Sequence, residues 1–290
     1  MKKHVTLQDI ADKLNISKVS VSKALRDHPD ISAITKQRIA DVAQKMGYMP
    51  NFIARNLSSR KSNTIGLVVP KIAHHFFASA IEAIYQTAYL NNYEIIMTVS
   101  QEDAEHEAKH IQTLLSMHVD GLLVSVTEQT KDKAIFELVK NSNIGYNRRK
   151  GFELAAKDCK LKIPKQWIIE GGFGETDGYN GFMQLYNKND LPEVIFAVTY
   201  PVALGIQSAA QEVGLNIPKD LELISFGGSI YNRFIAPSIT YINQPIQALG
   251  AKAIELIIEE IKNPDTVREQ HITLPTELII CETCKKMIGN

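Results

Sequence analysis

The chain has 290 residues with 32 Lys and Arg against 32 Asp and Glu, and hydrophobic residues make up 44 % of it. That suits a small head plus a larger body with its own core, and it excludes a disordered chain. No apolar run approaches the roughly 20 residues of a spanning helix. Basic Met1-Lys2-Lys3-His4 leads into polar Thr6-Leu7-Gln8-Asp9 rather than an apolar signal core, so a cytoplasmic location without a membrane partner is expected.

The charge is unevenly spread. Residues 1–61 hold 12 Lys and Arg against 5 Asp, and the remainder holds 20 against 27 acids, so a basic head sits on an acidic body. A head of this kind is expected to meet a polyanion. Within it, Thr6 and Asp9 have capping-box spacing with Asp in place of Glu, and Leu7, Ile10, Ala11 and Leu14 share one helical face. Ser17 caps a second helix carrying Val21, Ala24 and Leu25 at the same spacing. Ser32 starts a third with Ile39, Val42, Ala43 and Met46, ending at Gly47. Two short helices joined by a tight turn, with a third across them, make a helix-turn-helix plan. The second helix turns Lys18, Val19, Ser22 and Lys23 outward with no acid among them. Such a face can enter a major groove, where Lys meets guanine acceptors and an apolar group meets a thymine methyl. Taken alone, it reads equally as a solvated helix face.

The next segment, Tyr48-Met49-Pro50-Asn51-Phe52-Ile53-Ala54-Arg55-Asn56-Leu57, follows at once. Together with Val5–Ala11 and the Ser-rich stretch Ile16–Leu25, it makes residues 5–57 resemble the head of the lactose/galactose repressor family. That resemblance implies roles by position. Lys18, Val19 and Lys23 would read base edges, while Thr6, Ser17, Ser22, Ser32, Thr35 and Tyr48 would hold phosphates. Asn51, Ala54, Arg55 and Leu57 would belong to a hinge helix in the minor groove, with Leu57 as the apolar wedge that bends the duplex. The plain alternative for Leu57 is a linker leucine packed on the body. The Ala54 spacing and the Pro50 start signal favour the wedge.

Beyond polar Ser58–Asn63 the pattern changes to alternating strands and helices. Strands are predicted at 64–70, 93–100 and 120–126, each followed by a helix, at 78–90, 102–117 and 131–141. A second series runs through a helix from Arg148, strand 167–173, helix 176–187, strand 194–198, helix 202–213, strands 222–226 and 240–243 and helix 246–261. Strands 272–274 and 276–281 close it. This is the mark of doubly wound parallel sheets. The fold class is therefore an all-α helix-turn-helix head plus an α/β core of two doubly wound subdomains. The core resembles the family's effector-binding body, which is related to periplasmic sugar-binding proteins. The boundaries that follow are 1–50 for the head, 51–60 for hinge and linker, 61–144 for a first subdomain and 145–290 for a second with the closing strands.

One place breaks the alternation. After the helix ending near Asn141 a strand is due, yet Ile144-Gly145-Tyr146-Asn147 runs directly into Arg148-Arg149-Lys150-Gly151-Phe152. The family has strand–helix–strand material here, so about 40–60 residues are expected to be missing near 144–145, given the length of a β-α unit. The resemblance places Phe76, Phe77, Arg148, Tyr200 and Gly227 around a small-molecule effector, a sugar or sugar derivative in many members. Gly227 stands where the family often has an acid. Val198-Thr199-Tyr200 replaces a second acid, which weakens a plain sugar reading because carboxylates bind sugar hydroxyls well. Arg148 reads equally as a solvated cation at a helix start.

Other candidates are weaker. His106 and His110 have a metal-binding spacing but no third ligand, so a solvent face is favoured. His74 and His75 fall in the cleft-lining loop of the resemblance. Cys281 and Cys284 form a C-x-x-C with no second pair, and Cys159 stands apart, so no disulfide or zinc framework is expected. There is no P-loop, no dinucleotide glycine motif and no nucleophile–base pair, so neither an enzyme nor a cofactor is expected. The expected function is a homodimeric repressor-type regulator on pseudo-palindromic DNA. The helices near 78–90, 102–117 and 246–261 are candidates for its interface. The alternatives are a regulator whose effector switch is lost and a small-molecule binding protein.

Overall fold

A computed structural model of the protein describes residues 5–49, 61–127, 144–264 and 270–285, and of 144–147 the backbone only. The chain divides into two compact units, Met1–Ser62 and Asn63–Asn290.

In the first unit, α1 (Leu7–Leu14), α2 (Lys18–Leu25) and α3 (Ala33–Met46) each start at a hydroxyl N-cap. Thr6 and Asp9 form the expected capping box: the Asp9 carboxylate accepts from Thr6 N–H at 2.7 Å, and Thr6 Oγ1 accepts from Asp9 N–H at 3.3 Å. Asn15 and Gly47 end α1 and α3 in the left-handed region, at φ 54° and 69°. Ile10, Ala11, Val21, Ala24, Ile39 and Ala43 make a shared core, with Leu14, Val42, Met46 and Tyr48 packed against it. Each buried branched side chain there contributes about 1.5–3 kcal/mol, which three short helices need in order to persist.

The second unit opens with β1 (Thr64–Val69), α4 (His75–Leu90), β2 (Glu94–Val99), α5 (Ala104–Ser116) and β3 (Gly121–Val124). The strands pair in parallel in the order β2-β1-β3, with Thr64 beside Glu94 and Ile65 beside Gly121. Central β1 is buried along its whole length, as a parallel strand covered on both faces must be. Glu107 of α5 is buried too, and its carboxylate accepts the Thr127 N–H at 2.7 Å.

Next come α6 (Ile144–Asp158), a 3-10 turn at Lys165–Trp167, α7 (Glu175–Tyr186), β4 (Val194–Ala197), α8 (Tyr200–Glu212) and β5 (Glu222–Phe226). A 3-10 turn at Ile230–Phe234, β6 (Thr240–Asn243), α9 (Ile246–Lys262) and β7 (Glu277–Ile279) follow. The second sheet has the order β4-β5-β6-β7, with only β7 antiparallel. Its core gathers Phe182, Ala203, Ala209, Leu223 and Ile239. Helices α7 and α8 cross backbone to backbone at Gly178 and Gly205. Helix α9 returns to the first sheet, where Ile254, Ile257 and Ile258 share a core with Ile65, Leu67 and Ile84.

Several expectations are corrected. Residues 167–173 are not a strand: after the 3-10 turn the backbone has no ladder partner among the described residues. An apolar, extended sequence becomes a strand only beside another strand. Residues 272–274 likewise pair with nothing among the described residues, and Ile272 is exposed. The closing strand shortens to Glu277–Ile279, the length that pairs with β6. Helix α4 begins at His75 rather than 78, because His74 caps it through Nδ1. The predicted hinge at 51–57 and helix at 131–141 lie outside the described residues.

Candidate functional site

The first candidate surface is the outer face of α2. Val21 and Ala24 turn into the head core, and the 3.6-residue period turns Lys18 and Val19 the other way, where Val19 is 64 % exposed. Ser17, Ser32 and Thr6 are the N-caps of the three helices. Four of the six residues assigned to phosphates, Thr6, Ser17, Ser32 and Thr35, therefore stand at helix N-termini, where backbone N–H groups and the helix dipole favour anions. Ser17 pairs with Ser20 at 2.8 Å and Ser32 with Thr35 at 2.9 Å. Ser22 is half-buried on α2. Tyr48 leaves the left-handed turn at Gly47 and packs on the head core; burial raises its phenol pKa, so it remains a proton donor.

One partner was not legible in the sequence. Lys23 forms an ion pair with Asp30 at 2.7 Å, and its hydrogen bond and charge hold the Asp30 carboxyl below the usual range. Asp30 lies on the loop after α2, seven positions from Lys23, and no helical period links them. Asn51, Ala54, Arg55 and Leu57 lie outside the described residues.

The second candidate site lies within the second unit. Phe76, Phe77, Arg148, Tyr200 and Gly227 all line one cavity of about 430 Å³. Phe76 and Phe77, in the first turn of α4, meet edge to face at 5.3 Å. The Arg148 guanidinium lies over the Phe226 ring at 4.3 Å and donates to the Val198 carbonyl at 2.6 Å. It is thus pinned into the cavity wall rather than solvated at a helix start. Tyr200 is buried at the start of α8 and donates to Asn232 Oδ1 at 2.9 Å, with its pKa pushed up to about 12 by burial. Thr199 caps α8 and also donates to the Phe173 carbonyl at 2.8 Å.

Gly227 has φ +89°, a conformation that L side chains rarely adopt, and a side chain there would press on Gln244 Nε2. The remaining acid in the lining is Glu102, 3.7 Å from Lys71. His74 also faces the cavity; burial first, then the charge of Arg148, lowers its pKa. Phe173, Phe226, Tyr231 and Tyr241 complete an aromatic lining that was not assigned from sequence. Phe226 ends β5, Tyr241 lies in β6, Tyr231 lies in the 3-10 turn and Phe173 precedes α7, so no single local period marks them. His106 and His110 are neighbours on α5, but no group able to hold a metal occurs among the described residues. No helix among the described residues is long and apolar enough to cross a membrane.

Comparison with known proteins covers both units. Residues 6–51 match the profile of bacterial regulatory proteins of the lacI family. Residues 62–145 match that of periplasmic binding proteins and sugar binding domain of the LacI family, and residues 130–284 that of the periplasmic binding protein-like domain. The NTD biosynthesis operon regulator NtdR of Bacillus subtilis (strain 168) is 28 % identical, over 96 % of this chain and 99 % of that protein. The HTH-type transcriptional repressor PurR of Haemophilus influenzae (strain PittEE) is 26 % identical, over 98 % and 99 %. That alignment runs over 334 positions against the 290 residues of this chain, so at least 44 positions of it hold no residue here. Among solved structures, a lac repressor dimer bound to operator and the anti-inducer ONPF superposes with a TM-score of 0.83. It is 19 % identical, over 97 % of this chain and 99 % of that one. The chain belongs to the lacI family of bacterial regulatory proteins: it is a DNA-binding transcriptional regulator with a helix-turn-helix head and a periplasmic-binding-protein-like body.

Proposed function

We propose that this regulator acts in the cytoplasm as a homodimeric repressor on a pseudo-palindromic operator. Each α2 lies in a major groove, with Lys18, Val19 and Lys23 at base edges and Thr6, Ser17, Ser22, Ser32, Thr35 and Tyr48 at phosphates. Asn51, Ala54, Arg55 and Leu57 supply the minor-groove hinge. The observation that carries this reading is the α2 face on which Lys18 and Val19 are exposed and to which α2 itself contributes no acid, backed by the core of the head. Two-fold pairing follows because one head spans only a half-site. Binding, not catalysis, is the activity, and no cofactor is involved. The cleft around Phe76, Phe77, Arg148, Tyr200 and Gly227 takes a small effector, its aromatic lining favouring a ring stacked on Phe or Tyr over a plain sugar.

The test is selection from a random DNA pool with the full chain at two salt concentrations. A repeated inverted half-site, with affinity falling steeply as salt rises, is expected. Retention of the pool without enrichment would refute the assignment. A second reading, a regulator whose effector switch is lost, is favoured by the 44 or more alignment positions without a residue in this chain. A metabolite that raises the unfolding temperature and alters operator affinity would exclude it.

A further inference from the structure

The loop between α2 and α3 brings an acid against Lys23. Its backbone is tied to the end of α2: the N–H groups of Arg26 and His28 donate to the Lys23 carbonyl at 3.2 and 3.0 Å, and that of Asp27 donates to the Ala24 carbonyl at 3.0 Å. Lys36 of α3 holds the loop from the other side, donating to the Asp27 carboxylate at 2.7 Å and to its carbonyl at 3.1 Å. His28 Nδ1 accepts from the Asp30 N–H at 3.3 Å, and Ile31 packs on the head core. Asp30 is therefore placed by its loop, with its carboxylate 2.7 Å from the Lys23 ammonium.

Two lysines pair with acids of this loop among the described residues, and the pairs differ. Lys36 joins the loop to α3, and its side chain is 23 % exposed. Lys23 joins it to α2, whose end the backbone bonds already secure, and there the lysine is 36 % and the acid 57 % exposed. An exposed pair of this kind stabilises a fold little. Its larger effect falls on what the lysine can bind.

A Lys ammonium has three N–H donors. With one on Asp30, two remain, enough for the O6 and N7 acceptors of guanine in the major groove, an edge without net charge. A phosphate bridged to Asp30 by the same ammonium would stand about 6 Å from the carboxylate, where like charges in water oppose each other by about threefold in an equilibrium constant. We propose that Asp30 is a specificity-setting residue: it holds Lys23 back from phosphates more than from a guanine edge. The acid lowers affinity for every duplex, and lowers it most where only backbone is offered, so the operator gains in discrimination. The inference rests on the placement of α2 in a major groove.

The test uses the full chain in anisotropy titrations below about 0.1 M salt, where charges some 10 Å apart still interact. One duplex carries the inverted repeat enriched from the random pool, and the other has both half-sites scrambled. Asp30→Asn keeps the shape of the side chain and removes its charge. Affinity for the scrambled duplex should rise about tenfold, from about threefold at each of two heads, and operator affinity by less, so the ratio of the two falls. In a Lys23→Met chain the same substitution should leave the ratio unchanged, because no ammonium remains to choose between base and phosphate. Far-ultraviolet circular dichroism checks that the helices are kept, and Asp30→Ser carries the same expectation if the first variant does not fold. A ratio that moves by less than about twofold overturns the proposal. So does an equal fall in the Lys23→Met chain, which marks Asp30 as a general charge. A pool that yields no inverted repeat overturns the operator reading together with the proposal, whereas an enriched repeat with an unmoved ratio overturns the proposal alone.

Discussion

Gly205→Ala should unfold the body more easily, and the same change at Gly151 should do the opposite. A Cβ on Gly205 would lie 1.9 Å from the Glu175 carbonyl oxygen and 2.8 Å from Tyr179 N, all of it backbone of α7. Non-bonded heavy atoms rest about 3.5 Å apart, so α7 and α8 must separate by about 1.5 Å or bend. Over-packing of this kind costs about 1–3 kcal/mol, and a backbone obstacle that cannot rotate away puts it at the upper end. Alanine's helix propensity returns about 1 kcal/mol, leaving about 2 kcal/mol of destabilisation. Gly151 lies within α6 with nothing inside 4 Å of its added Cβ, so it keeps only the propensity gain. Urea unfolding followed by Trp167 fluorescence reads both variants in the body. Because Thr199 and Tyr200 start α8, ligand affinity of the cleft should also drop in Gly205→Ala and not in Gly151→Ala. Shifts of equal sign in the two variants would refute the close-crossing argument.

Asp30→Asn removes the partner of Lys23 and one negative charge from the head. Operator affinity should rise, because Lys23 is released toward its base edge and one negative charge no longer faces the duplex; fluorescence anisotropy at several salt concentrations checks this. His74 has a lowered pKa, so an unfolded chain takes up a proton near pH 6.5 while the folded ring remains neutral. Stability contributed by the neutral ring is present above that value and is lost as pH falls below it. His74→Asn, which can still cap α4, should flatten this acid-side loss in unfolding midpoints measured from pH 7 downward. Arg148→Gln should abolish stabilisation by any cleft ligand while operator binding without ligand is retained, read by thermal unfolding and anisotropy. Leu57→Ala should reduce the operator bend, measured by gel-phase analysis, with the head still folded.

The head was almost wholly legible from residues in order. Its N-caps Thr6, Ser17 and Ser32, its left-handed stop at Gly47 and its 3.6-residue apolar spacing are local signals, and each reappears in the structure at the same residues. The cleft was legible through resemblance: Phe76, Phe77, Arg148, Tyr200 and Gly227 come from distant points of the chain, and their meeting in one cavity depends on the fold. The Lys23–Asp30 pair, the stacking of Arg148 on Phe226 and the return of α9 to the first sheet had no local signature. Residues 167–173 are the sharpest case. Side-chain pattern states what a segment would do beside a strand, but hydrogen bonds to a neighbour decide whether it becomes one. The sequence by itself determined the DNA-reading head and the kind of body attached to it, because caps and periodicity act within a few residues. Only the tertiary structure decided which walls meet in the cleft and where the second sheet ends, because both depend on contacts between segments far apart in the chain.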